Sequence, residues 1–108
     1  MIQIAAPGNG AFVPFKSFFF IEYDGDDPRG PIVYVRANDD IWYRQAPAVL
    51  GGLKNLYTVI VACGVPFLRS GWDYKVVAVA GKDTDFPPTT EHIPQEWEQS
   101  DRIPVTRR

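Results

Sequence analysis

Leu-Tyr-Thr-Val-Ile-Val-Ala-Cys, residues 56–63, is an uncharged run that indicates a β protein. Four consecutive residues, Thr58 to Val61, are β-branched, which suits an extended backbone. Apolar side chains occupy both alternating positions, so we expect a core strand that is buried on both faces. Eight residues are too few for a typical helix and far too few to span a membrane.

Chain length and composition predict one small domain with a sizeable core. The 108 residues are 45% hydrophobic and 14% aromatic, which is enough to fill the interior of a single domain. The 11 basic residues are outnumbered by 13 acidic ones, giving a net charge of −2. Nucleic-acid binding favours a clustered basic surface, so the charge balance gives no support for that function.

Further strands lie on both sides of the 56–63 run. Ile2 and Ile4 predict an edge strand, and longer alternating or apolar runs predict strands at 15–23, 31–38, 41–45 and 72–80. Turn residues separate them. We therefore predict an all-β domain, a small sandwich or barrel of five or six mainly antiparallel strands. The alternative is an α+β fold with one short helix near 46–53, opened by Pro47 and closed by Gly51 and Gly52.

Large apolar side chains occupy both faces of several predicted strands. In strand 15–23, Phe19 and Ile21 share one face while Phe18 and Phe20 share the other. One face must contact the core, so the other is a candidate contact surface. The same reasoning selects further candidate contact residues in the third strand and in loop 64–71, namely Trp42, Tyr43, Phe67 and Leu68.

The composition changes after residue 81. Residues 82–108 contain ten charged residues and four prolines, a composition that cannot order itself alone. We divide the chain into a β domain, 1–81, and a proline-rich extended C-terminal arm, 82–108. The arm is expected to lie either against its own domain or against a neighbouring chain. Its candidate anchors, which we count among the contact residues, are Phe86, Ile93, Trp97 and Ile103.

The loop Asp24-Gly25-Asp26-Asp27-Pro28-Arg29-Gly30 contains three carboxylates close together. Carboxylate oxygens are calcium ligands, but Pro28 and Arg29 occupy positions that the EF-hand pattern reserves for a ligand and a glycine. We interpret the loop as a hairpin connection. The sequence leaves open whether it also binds a cation.

Most catalytic residue sets are missing from the sequence. The chain has one cysteine, Cys63, in the apolar run, and one histidine, His92, in the arm. A His/Cys zinc site needs more ligands than these, and a proline-rich arm is a poor support for a catalytic triad. We predict no enzyme activity, no metal and no cofactor.

Aromatic residues beside arginines can also stack on nucleic-acid bases. The candidates for such a surface are Tyr34, Arg36, Trp42, Tyr43 and Arg44. Packing in an aromatic core explains the same residues, and the acidic balance opposes the nucleic-acid interpretation. We expect protein partners and neither nucleic acid nor membrane.

These observations favour a structural or interaction protein. We expect a subunit or accessory protein of a larger assembly, of the decoration, connector or tail type, with a viral (phage) particle as the particular case. The alternative is a small monomeric binding module or inhibitor, whose acidic loops at 24–27 and 39–40 face a basic target. No secretory signal or spanning segment is predicted, which leaves an intracellular or virion location.

Overall fold

The computed structural model describes residues 1–37, 39–64 and 72–108. These residues form an all-β protein of two mainly antiparallel sheets, consistent with a β-sandwich. None of them belongs to a helix long and apolar enough to cross a membrane. The eleven strands are β1 (Ile2–Ala6), β2 (Ala11–Val13), β3 (Lys16–Tyr23), β4 (Ile32–Arg36), β5 (Trp42–Arg44), β6 (Val49–Leu50), β7 (Leu56–Ala62), β8 (Asp73–Ala80), β9 (Thr89–Thr90), β10 (Glu98–Gln99) and β11 (Ile103–Arg107).

The predicted fold class is confirmed. The strands predicted from the sequence correspond to β1, β3, β4, β5, β7 and β8, whereas β2, β6, β9, β10 and β11 were not predicted. The α+β alternative is wrong, because residues 49–50 form strand β6 and pair with β7 instead of starting a helix. Pairing with a neighbouring strand has outweighed the local helix signals of Pro47 and the two glycines.

The smaller sheet contains four strands in the order β1-β3-β7-β6, all antiparallel. β3 and β7 form its centre, with Phe18 opposite Ile60 and Phe20 opposite Thr58. β1 lies at one edge, as the sequence predicts for Ile2 and Ile4. The two-residue strand β6 forms the other edge.

The larger sheet contains seven strands, in the order β2-β11-β8-β4-β5-β9, with β10 paired to the end of β8. Antiparallel pairing prevails, but β2 and β11 are parallel, with Ala11 opposite Val105. Residues 82–108 supply β9, β10 and β11. This segment therefore packs against its own domain, which is one of the two positions expected from the sequence.

The main core lies between the two sheets. The smaller sheet contributes buried residues such as Phe19 and Val61, and the larger sheet contributes Val35, Val76 and Val105. Face alternation along each strand brings these side chains to the shared interior. Both sheets thus have one face in the main core.

The expectation that residues 56–63 are buried on both faces is wrong. Val59 and Val61 are buried, whereas Ile60 between them is 47% exposed. Strands buried on both faces lie in the larger sheet: residues 76–80 of β8 and residues 33–35 of β4 are all buried. The difference arises because a chain segment covers the outside of the larger sheet, whereas on the outside of β7 Ile60 stays exposed and Thr58 and Ala62 are only partly buried.

That covering segment is the C-terminal arm. Phe86, Ile93 and Trp97 form a second apolar cluster with Val77 and Val79, on the face of the larger sheet opposite the main core. The ring centroids of Phe86 and Trp97 lie 4.7 Å apart in an edge-to-face arrangement. The arm is therefore part of the fold and fills a second, smaller core.

Candidate interaction surface

The face of the smaller sheet that points away from the core is largely apolar, and we call it the outer face. Alternation along β3 directs Phe19 and Ile21 into the core and leaves Phe18 and Phe20 outside. Phe18 is 62% exposed and Phe20 is 38% exposed. Two neighbouring phenylalanines on one exposed strand face make a candidate contact surface.

Strand pairing places two more exposed side chains beside them. Ile60 of β7 pairs with Phe18, and Val49 of β6, 66% exposed, pairs with Thr58, the partner of Phe20. Phe18, Phe20, Val49 and Ile60 form what we call the outer patch. With a large side chain presenting about 150–250 Å², the outer patch exposes roughly 400 Å², a size at which surface patches are often functional.

The charges of this sheet are few and arranged at its ends. Its four strands contain two charged residues, Lys16 and Glu22, at the two ends of β3. Both lie on the outer face, since they share alternation with Phe18 and Phe20. Within the described residues, neither is part of an ion pair. The strands thus give the outer face an apolar centre with a lysine at one end and a glutamate at the other, and the exposed Lys54 of the β6–β7 connection lines the same cavity as Glu22.

The ten contact residues predicted from the sequence are distributed over different environments. Phe18, Phe20 and the 43%-exposed Tyr43 lie on the surface. Phe67 and Leu68 lie outside the described residues. Trp97 is half-buried in the second cluster. The fully buried members, which belong to the chain's own cores, are Trp42, Phe86, Ile93 and Ile103.

Tyr43 borders a shallow groove of about 380 Å³. Its hydroxyl donates to Asp39 Oδ2 at 2.5 Å. Gln45, also in the lining, accepts through Oε1 from the backbone N–H of Ala62 at 2.8 Å and donates through Nε2 to the Tyr43 carbonyl at 3.0 Å, which fixes the amide. The groove is within the size range of small-ligand sites. Its described lining is Val35, Ala37, Asp39, Tyr43, Gln45, Ala62, Gly64 and Tyr74.

The acidic loop at 24–30 is held by its own arginine. Arg29 donates to the buried Asp27 carboxylate from Nε at 3.1 Å and from Nη2 at 3.0 Å. The same guanidinium donates to the carbonyls of Gly81 and Thr84 and lies 5.0 Å from the centroid of the Phe86 ring. The loop joins β3 of the smaller sheet to β4 of the larger sheet, so the predicted hairpin connection is wrong. Arg29 attaches this crossover to the start of the arm.

Burial of Asp27 opposes ionisation, but the hydrogen bonds from Arg29 and from the Gly81 N–H outweigh it. The pKa of Asp27 is consequently lowered from its ordinary value. Asp24 accepts from the Met1 amino group at 2.6 Å, and the exposed Asp26 lies 4.0 Å from Lys82 Nζ. Among the described residues there is no group of three potential metal ligands.

The lone cysteine and the lone histidine occupy opposite environments. Cys63 is fully buried in the main core, and this burial raises the pKa of its thiol to about 11. Little thiolate is therefore present at neutral pH. His92 is exposed. The two side chains do not share a site.

The residues considered for base stacking are also largely structural. Tyr34 and Trp42 are buried, and Tyr34 Oη donates to the carbonyl of Pro87 at 2.6 Å. The Arg36 guanidinium lies 5.3 Å from the centroid of the Trp42 ring. Arg44 donates to the carbonyl of Phe86. Of the three aromatic candidates, Tyr43 alone presents an exposed side chain.

Sequence reasoning selected half of the outer patch and missed Val49 and Ile60. The signal for Ile60 was available, because it alternates with the core residues Val59 and Val61. The position of Val49 depends on its pairing with β7, which the local sequence does not specify.

Comparison with known proteins gives no matching family model, no similar curated protein and no similar solved structure.

Proposed function

We propose that the protein is a non-enzymatic subunit or accessory protein of a larger protein assembly, and that it docks through the outer patch. The observation that carries the proposal is a difference between the two sheets. The arm covers the outside of the larger sheet with Phe86, Ile93 and Trp97, whereas the outside of the smaller sheet leaves Phe18 and Ile60 exposed.

The size of the outer patch makes docking energetically reasonable. Burying roughly 400 Å² at about 25 cal/mol per Å² contributes about 10 kcal/mol. Association costs about 4–15 kcal/mol in lost freedom of motion. The outer patch therefore supports binding when polar residues at its rim add complementary contacts.

A decoration, connector or tail-type protein of a viral particle is the narrower form of this proposal. In this form of the proposal, the outer patch contacts a protein of the viral particle. Its test is co-sedimentation with assembled particles, in which the wild type binds and an outer-patch variant does not.

The general proposal is tested by light scattering on a sizing column over a range of protein concentrations. Replacing Phe18 by Ser and Ile60 by Thr should remove association while leaving the fold intact, because both side chains are exposed. The matched control replaces Phe12 by Ser. Phe12 is 70% exposed and lies in β2 of the larger sheet, outside the outer patch.

We expect the wild type and the control to exceed the monomer mass of 12.1 kDa as concentration rises. The outer-patch variant should remain at that mass. Equal association of all three proteins would refute docking through the outer patch. Circular dichroism of each variant verifies that the sheets are retained.

A second candidate is a monomeric binding module that uses the Tyr43 groove for a small apolar ligand. The groove's volume and its Val35, Ala37 and Tyr74 lining favour it. An environment-sensitive apolar dye distinguishes the two functions. Under this alternative, Ala37→Trp abolishes dye binding and the outer-patch variant leaves it unchanged, and the protein remains a monomer throughout.

A further inference from the structure

We infer that the partner of the outer patch is a second copy of this chain, packed face to face with the two β3 strands antiparallel. In this arrangement Lys16 of each protomer lies opposite Glu22 of the other. The inference rests on the proposed function and specifies its partner. It is carried by the position of two charges on one strand.

Lys16 and Glu22 lie six residues apart on the outer face, which corresponds to about 20 Å along a strand. A two-fold axis in the plane of the interface and perpendicular to β3 exchanges the two ends of the strand. Each lysine then meets a glutamate, twice per dimer. A parallel arrangement would place lysine over lysine and glutamate over glutamate, which is repulsive.

The apolar residues obey the same symmetry. Phe18 and Phe20 are equally distant from Phe19, the midpoint of Lys16 and Glu22, so the axis places Phe18 of one protomer over Phe20 of the other. Packed sheets lie about 10 Å apart, a spacing that aromatic side chains from both faces can fill. Ile60 and Val49 lie beside this centre and extend the contact across β7 and β6.

A partner surface whose charges all have the same sign fits this surface less well. A basic partner would leave Lys16 facing like charge, and an acidic partner would do the same to Glu22. A second copy satisfies both ends. With its polar rim the outer patch buries about 600 Å² per protomer, at the lower end of specific interfaces, so we expect a dimer dissociation constant in the micromolar range.

Charge exchange tests the arrangement directly. Lys16→Glu places glutamate opposite Glu22, and Glu22→Lys places lysine opposite Lys16, so each single variant should raise the dissociation constant at least tenfold. The double variant K16E/E22K restores opposite charges and should return to within about threefold of the wild type. Sedimentation velocity at low salt, from about 5 to 200 µM, measures all of these proteins.

Mixing provides a second readout that does not depend on the double variant. Each single variant should self-associate at least tenfold more weakly than the wild type, yet an equimolar mixture of K16E and E22K should form a heterodimer with two opposite-charge pairs and near wild-type affinity. Lys75→Glu and Glu91→Lys are matched controls, since both residues are exposed and lie away from the smaller sheet. Neither control should change the dissociation constant.

The failures of the two proposals are distinguishable. A wild-type dimer that dissociates with the Phe18 and Ile60 substitutions, but is insensitive to the charge variants, overturns the antiparallel pairing and retains the outer patch as an interface. A wild type that stays monomeric overturns the self-pairing inference. If association occurs and the outer-patch substitutions do not affect it, the proposed function fails as well.

Discussion

Asp27 is a buried carboxylate whose ionised form is stabilised by contacts within the chain. Its pKa is lowered in the folded protein, while the unfolded value is about 3.9. The stabilisation is therefore fully present above about pH 4 and is lost as the pH falls through the folded pKa. A carboxylate that looks like a cation ligand in the sequence thus makes stability depend on pH.

Asp27→Asn should lower the free energy of unfolding at pH 7 by about 2 kcal/mol, because charged hydrogen bonds from Arg29 are lost. Urea unfolding at pH 7 and at pH 3 measures the effect. The difference between wild type and variant should shrink at pH 3, because Asp27 of the unfolded wild-type chain is then mostly protonated and the preference for the ionised folded form is partly lost. The matched control, Asp26→Asn, changes an exposed carboxylate and should cost less than about 0.5 kcal/mol.

A difference that is as large at pH 3 as at pH 7 would mean that shape, and not charge, makes Asp27 important. The local sequence contains Asp27 and Arg29 but does not reveal their other partners. Gly81 and Thr84 lie more than fifty residues further along the chain. The prediction of a hairpin connection was wrong, because β3 and β4 belong to different sheets. The local sequence could indicate neither this crossover nor the attachment of the loop to the arm.

At the scale of elements, β7 and β8 carry nearly the same sequence signal and have different environments. Both have apolar residues at alternate and intervening positions. Whether the second face of each strand is buried depends on whether another segment lies over it, which is a property of tertiary packing. The sequence was therefore sufficient for the fold class and for β1, β3, β4, β5, β7 and β8. It was insufficient for the other strands and for which face remains exposed.

Removing residues 83–108 should abolish cooperative unfolding. The deletion removes β11 from between β8 and β2, and it exposes Val77 and Val79. Near-ultraviolet circular dichroism and thermal denaturation detect the loss of fixed aromatic packing. A truncated chain that keeps a sharp thermal transition would show that the β domain is stable alone.

A single substitution in the same arm should have a smaller effect than the deletion. Phe86→Ala removes one buried ring and should lower the free energy of unfolding by about 3–5 kcal/mol. Glu96→Ala, at an exposed position of the arm, is its control.

At the scale of the whole molecule, the two sheets draw on different parts of the chain. The smaller sheet uses strands between Ile2 and Ala62, whereas the larger sheet combines β2, β4 and β5 from the same range with strands β8 to β11 from the later part of the described chain. Length and composition predicted one compact domain with mainly antiparallel pairing. They contain no signal for the parallel pairing of β2 with β11, because that pairing joins segments that are distant in sequence.

The β2–β11 pair has a consequence for the order of folding. Ala11 and Val105, which pair directly, are 94 residues apart, so the larger sheet can close only after a long loop has been brought together. Stopped-flow fluorescence should show refolding in the range of milliseconds to seconds that is typical of such topologies. Replacing Val105 by Ala should mainly accelerate unfolding, because late contacts have little influence on the folding rate. The smaller sheet would therefore assemble first, and its outer patch would be available to a neighbour before the rest of the protein is complete.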